Sequence, residues 1–573
     1  MNDATAVTSN VQLTDEEILS RLGYTQVLKR GWRKFTNISV TISAMSVLLS
    51  ITSSFGTGLL YGGPVVCLWG WLLVCMLTLC QGLCMAEISS SMPTSGGMYY
   101  WMFALVGPGF WGRFTCWIVG WLNLLGQIAS LSSTHFAMAN LISCLTSGDP
   151  SAAPPSHQHS RGLRPTPSQN VRLGRDRCKP CRRILVTQPV SYLSARHLHI
   201  VGAVLVIVVI PSLTTEHQTP KYVFTKFQPE IVQDNLNIEN VGYIFLLGLL
   251  FPAYSFTGYD GPSHMSEESL DAGMAAPVGI LTGIAVMTIV GWMMNVALLF
   301  SISDIYYILG YAVDDYGNSI TPEANGAVVP QIFWDAFQSR TGLGERSVGF
   351  LIIMLGGTFF CAVSTTTYVA RIMYAYSRDK AVPGYQLWRQ FNSYTQSPVY
   401  AVWGACFAAF LLGLIMLGSS TAFQGILSLS TIALNIAYVA PTFVRITIGR
   451  KRFVPGPFCL GWMAYPIGAI ACCYVAVLTV IFSLPLQYPA LPTNLNYAGV
   501  ALLSTLGICL IWFWFPVYGA YAWFEGPVRT TEDSLSEVSG SITDPKEFTD
   551  PKEQTTNVQS KTPSLSGLDS VRV

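Results

Sequence analysis

One carboxylate, Asp260, stands directly behind Ser255-Phe256-Thr257-Gly258-Tyr259, inside an apolar stretch that opens at Leu250. Hydrocarbon accepts a buried acid and unwound backbone only where they line a cavity or bind something. Carbonyls freed near Ser255–Gly258 can accept hydrogen bonds from an ammonium group. Tyr254, Phe256 and Tyr259 offer aromatic faces to a cation. Asp260 itself suits two roles, ligand contact or capping of the following half-helix, and the cap is the more expected of the two. Broken helices near the midplane are where secondary transporters hold their substrate, so this stretch points to solute transport.

Other residue groups extend that chemistry. Ser50, Ile51, Thr52, Ser53 and Ser54 lie in the first apolar segment, followed by Gly56 and Gly58. Such residues form continuous helix poorly, although small residues also let membrane helices pack closely. Ser364-Thr365-Thr366-Thr367 puts several hydroxyls on one turn, and such hydroxyls often only bond back to their own helix. Glu267 and Glu268 end the sixth segment, and Arg371 or Arg378 could pair with them as a gate. Glu87 ends the second segment beside Pro93-Thr94-Ser95-Gly96-Gly97, where a packing or turn role is expected ahead of ligand contact. Cys178-Lys-Pro-Cys181 with His157, His159, His197 and His199 nearby makes a weak zinc pattern, because one CxxC lacks a second spaced pair. No metal, cofactor, catalytic triad or nucleotide loop is expected.

The elements that must position these residues are membrane helices. Of 573 residues, 51% are apolar and 11% charged; the mean hydropathy is +0.43. Soluble chains carry about 25% charged residues. A net charge of +1 speaks against nucleic acid as a partner. The 14 cysteines fall mostly in apolar segments as small packing residues, and no disulfide framework is implied. At roughly 20 residues per span, spans are expected at 36–60, 65–86, 110–145, 242–262, 277–301, 348–375, 399–417, 421–444, 463–484 and 498–523. The segment 199–213 is apolar but too short to cross alone. Basic residues at 29–34, after 375 and after 444, with acids between 302 and 347, place the 1–34 tail in the cytoplasm. The Ser/Thr/Asp/Glu/Lys-rich tail 526–573, with TDPKE twice, is expected to be disordered and cytoplasmic.

Residues 147–198 break this pattern. They are Pro-rich, and nine Lys/Arg fall between Arg161 and Arg196. Loop parity wants one complete span and half of another here. The favoured reading is a gene-prediction or splicing fault that replaced coding sequence; a genuine basic insertion is the alternative.

GTGLLYGGP (56–64), AEISSSMPTSGGMYYW (86–101), WIVGWLNLLGQIA (117–129), FTGYDGPSHMSEES (256–269), AAPVGI (275–280) and ARIMYAYSRDKAVPG (370–384) together resemble the amino acid–polyamine–organocation superfamily. Within it they are most similar to plant and fungal GABA permeases, bidirectional amino acid transporters and choline permeases. The resemblance covers about 30–145 and 199–525. It implies an all-α polytopic membrane protein with a LeuT-like 5+5 inverted repeat and two accessory helices. That is nominally 12 spans, with the fourth and part of the fifth replaced. It also implies an unwound first span near 49–58, whose N–H groups and helix dipole would face a substrate carboxylate.

In sodium-coupled relatives, hydroxyls at the level of Ser364 and Thr365 join first-span carbonyls around an ion. Some proton-coupled relatives use a fifth-span lysine, which 199–213 lacks. The coupling ion, H+ or Na+, therefore stays open. So do the substrate, GABA-like zwitterions ahead of choline or polyamine, and the membrane, plasma or internal. A non-transporting sensor or inactive paralogue is the alternative of a different class.

Overall fold

The computed structural model describes residues 14–146, 188–312, 327–392, 397–418, 420–491, 495–516 and 518–530. The proposed zinc pattern at 178–181, most of 147–198 and the tail beyond 530 lie outside them. The described chain is helical, with three isolated β-bridges and no strand.

A short amphipathic helix α1 (Asp15–Arg21) opens with a Thr14–Glu17 capping box. The first span is two helices, α2 (Lys34–Met45) and α3 (Val47–Leu60), parted at Ser46 with φ 40° and ψ 84°. There follow α4 (Trp71–Ser91), entered through a π-helical turn, then α5 (Met98–Val106), α6 (Phe110–Thr146) and α7 (Gln188–Leu213). The sixth span is broken into α8 (Val241–Gly248), α9 (Leu250–Ser255) and α10 (Gly261–His264). Beyond it run α11 (Ala272–Phe300), α12 (Val328–Thr341), α13 (Val348–Arg378), α14 (Val399–Gly418), α15 (Ser420–Ile446), α16 (Ala464–Ser483) and α17 (Ala498–Trp514).

Eight helices among the described residues are long and apolar enough to cross a membrane. A bent pair, Glu230–Leu236 with Val241–Ser255, adds a ninth if counted as one span. The two segments expected at 399–417 and 498–523 are shorter apolar helices. The last of them stops at Trp514, because Pro516 cannot continue it and the chain turns. The segment 199–213 was expected to be too short; it is the C-terminal part of α7, which begins at Gln188 and qualifies as a span over Ser194–Leu213. His197, Arg196 and the residues before them hold helical backbone, so the helix runs through the polar text that hid it.

Packing explains the placement. α6 lies against α13 and α15, and α11 lies against α2, α4 and α7. Outward faces are apolar: Trp403, Phe407, Leu503 and Ile511 are all more than half exposed, as expected of side chains that meet lipid rather than water. The interior instead carries buried Gln81, Asn123, Gln127 and Asp260.

Candidate functional site

The two helix breaks face each other. A side-chain carbon placed on Gly258 would lie 3.7 Å from the Ala44 carbonyl and 3.7 Å from the Tyr368 hydroxyl. Gly258 itself has φ 86°, a left-handed conformation that costs a residue with a side chain roughly 1–2 kcal/mol. α9 ends before it, at Phe256 with φ −91° and ψ 42°, inside the stretch where the sequence expected the break. The first-span break is not where it was expected. Over 49–58 the backbone stays helical, and the hydroxyls there are satisfied by bonding back to it: Ser50 to Met45, Thr52 to Leu48, and Ser53 and Ser54 to Ser50. The chain unwinds instead at Ser46, whose Oγ caps α3 by accepting from Leu49 N at 3.3 Å. The first N–H groups of α3, at Val47 and Leu48, have no intrahelical acceptor, and they start the half-helix that opens at the break.

The predicted residues separate into those near the breaks and those behind them. Ser54 and Ser255 approach to 3.4 Å and join α3 to α9. Thr257 is half-buried within the break, and its hydroxyl donates to Tyr254 O at 2.9 Å. Ile51 is fully buried in the core. Phe256 does not close over the break; it packs on Trp71 at 5.0 Å between centroids. Tyr254 reaches Ser428 at 2.6 Å and stacks edgewise on Phe482. Tyr259 is buried against Tyr438 at 5.1 Å. On α13, Cys361 donates to the Ala44 carbonyl at 3.2 Å. Thr365 accepts from Tyr368 at 3.4 Å, while the Ser364 hydroxyl is buried and unpartnered among the described residues. The hydroxyl turn thus lies beside the first-span break, and a cysteine makes its contact with the freed carbonyl.

Asp260 is not a helix cap. It makes no side-chain bond to the α10 backbone. Fully buried, its carboxylate accepts from Gln127 Nε2 at 2.7 Å and the Tyr438 hydroxyl at 2.7 Å, and His264 Nε2 lies 3.1 Å from it. Polar partners of this kind are what a buried carboxylate requires.

A family model described as amino acid permease matches residues 35–159 and 196–509. The chain belongs to the amino acid permease family. Amino-acid permease BAT1 of Arabidopsis thaliana is 37% identical over 516 residues, covering 89% of this chain and 95% of that protein. The GABA-specific permease of Saccharomyces cerevisiae is 29% identical over 500 residues, covering 85% of this chain and 82% of that protein. A solved manganese transporter from Eremococcus coleocola covers 86% of this chain and 97% of its own at 11% identity with a TM-score of 0.45, too distant to bear on substrate or site. This permease is therefore a multi-pass membrane transporter rather than an enzyme. Among its described residues, no group of three or more His, Cys, Asp or Glu could hold a metal.

One end of the permease is sealed by ion pairs and by both chain tails. Arg371 grips Glu268 with two nitrogens, at 2.8 and 3.2 Å. Arg378 meets Glu267 at 3.2 Å and lies 3.8 Å over the Tyr24 ring. The amides of Gly31 and Trp32 both reach the Glu268 carbonyl at 3.0 Å, and Arg30 donates to the carbonyls of Ser266 and Ser269. From the other terminus, Val528 N donates to Asp379 at 3.1 Å and Thr25 N to the Thr530 hydroxyl at 2.9 Å. The residues 526–530, expected in the disordered tail, thus form part of the seal. Burial pushes the Asp379 carboxyl up to about 7, against the pull of Arg378 and the Val528 amide. Glu87 sits apart from the breaks and accepts from Leu460 N at 3.1 Å, with Arg445 at 3.8 Å, a turn-holding position.

Sequence reading missed Ser46, Gln127, Tyr438, His264 and the place of His199. His199 is fully buried on α7, its Nδ1 3.4 Å from Ser46 Oγ and its Nε2 unpartnered among the described residues. The signal available was His264, four residues after Asp260 and so one turn along the same helix face.

Proposed function

We propose that this permease moves small zwitterionic amino acids, GABA-like ones foremost, by alternating access, with the substrate held between the breaks at Ser46 and at 256–260. The observation that carries this reading is the opposition of those breaks, with Gly258 against the Ala44 carbonyl. The free amides at the start of α3 suit a carboxylate, aided by the helix dipole. The freed carbonyls around Ala44 and Ser255–Gly258 suit an ammonium. Ser54, Ser255 and Thr257 lie at the breaks, and Ser364 and Thr365 stand on the turn beside the first of them. A ligand with charges at two ends uses both sets, whereas choline offers neither a carboxylate nor an N–H donor. The basic residues around the seal support a cytoplasmic side for it and for both tails.

The test is counterflow in proteoliposomes loaded with unlabelled GABA. Labelled GABA should enter, and external GABA or alanine should compete while choline and putrescine do not. Competition by choline alone would move the substrate to quaternary amines. Saturable binding without any flux would make the chain a sensor.

A further inference from the structure

We infer that His264 and Asp260 form a buried proton-binding pair, an imidazolium against a carboxylate, which holds its proton while the cytoplasmic seal is shut. The argument is one of donors and acceptors. His264 Nδ1 lies 3.1 Å from the Ser95 carbonyl, and a carbonyl only accepts, so Nδ1 carries a hydrogen. Nε2 lies 3.1 Å from Asp260 Oδ2, which already accepts from Gln127. A neutral ring would turn a bare nitrogen lone pair toward a carboxylate oxygen. The pair therefore needs one proton more than a neutral histidine and an ionised aspartate supply.

Charge accounting agrees. Both side chains are 0% exposed. Among the described residues no lysine or arginine pairs with Asp260, and an uncompensated buried charge costs several kcal/mol. The neighbouring elements bring no substitute. α11 has no ionisable side chain, and the one on α2, Lys34, is engaged by Asp271. α13 brings Tyr368, Tyr376 and Arg371, the last held by Glu268; α15 brings Tyr438, and Tyr259 adjoins Asp260 in the chain. Glu267 touches the far side of the same turn, through Ser95 N at 3.0 Å, and is neutralised by Arg378.

The pair is also wired to movement. The 93–97 turn is held between His264, through its carbonyl, and Glu267, through its amide. Gly97 lets the turn lie on the ring, since a side chain there would come within 2.6 Å of His264 Cε1. When the turn leaves α10, Nδ1 loses its acceptor and the site opens to water, so the proton is released on the cytoplasmic side. By linkage, protonation favours the sealed state to the same extent that sealing favours protonation. The coupling step rests on the transport reading above; the protonation of the pair does not.

Full-length permease carrying 15N-histidine, in lipid at pH 7, tests the protonation directly. The sequence has seven histidines, and the signal lost in His264→Gln should be a ring with both nitrogens protonated. A lost signal with one bare nitrogen overturns the proposal. Wild-type liposomes loaded with pyranine supply a second readout that needs no variant. GABA entry should acidify the lumen, and a one-unit inward proton gradient should support up to about tenfold accumulation, falling to about onefold in His264→Gln. GABA flux with no lumen acidification overturns the coupling. Absence of any amino acid flux overturns the transport reading, and the nitrogen spectrum then still decides the proton.

Discussion

Replacing Glu268 with Gln should open the seal, and the size of the effect follows from burial. Glu268 and Arg371 are 7% and 4% exposed, and two nitrogen–oxygen contacts of 2.8 and 3.2 Å join them. The substitution leaves the Arg371 guanidinium buried without its counter-charge; in the open state water solvates it. Losing one partner of a buried pair costs about 3 kcal/mol at the low end, so the closed state should lose about 150-fold in population against the open one. The amides of Gly31 and Trp32, both bonded to the Glu268 carbonyl, report the opening. Their hydrogen exchange should accelerate about 150-fold in Glu268→Gln. With Arg371→Gln added, no orphan charge remains, and exchange should return to within about tenfold of the parent. A single variant that changes exchange by less than about threefold would refute the reasoning, as would a double variant that exchanges as fast as the single.

Three further outcomes are expected. The seal should loosen as pH rises. Asp379 has its carboxyl raised to about 7 when closed and returns to the ordinary carboxylate value when exposed. The added stability is thus complete below about pH 4, falls through the interval and is gone above about 7. Exchange at 24–32, corrected for its intrinsic rate, should rise up to that plateau in the parent and rise less in Asp379→Asn. Gly258→Ala should cost about 1–2 kcal/mol through its positive φ, whereas Thr257→Ala next to it should cost less; equal drops in melting temperature would remove the conformational argument. Tyr438→Phe should cost about 2 kcal/mol by leaving Asp260 Oδ1 without its 2.7 Å donor. Tyr474→Phe, whose hydroxyl has only a 3.4 Å contact with Thr78, should shift melting less.

The membrane class and the sixth-span break were legible because their signals are local. A glycine and an acid in apolar text have few other uses, and Gly258 does adopt φ 86°. The first-span break was not legible. Ser46 looks like any other serine, while the serines and threonines that drew attention at 50–54 satisfy their hydroxyls within a continuous helix. Gly58, read as part of a break, is a packing glycine: a side chain there would meet Phe251 at 2.7 Å. The partners of Asp260 were invisible for a different reason. Gln127 and Tyr438 are 133 and 178 residues away, and no spacing rule connects them to Asp260. α7 was half concealed because charged and proline-rich text lowers the apparent length of a helix that continues through it.

The seal has a consequence for the order in which the permease is made. Arg30 must wait for Ser269, 239 residues later, which at 5–20 residues per second is about 12–48 s of translation. Thr25 waits 505 residues for Thr530, about 25–100 s. Until then the chain has helices but no shut door. Residues 528–530 therefore complete the latch, and a nascent permease stalled short of residue 528 would enter the bilayer without it.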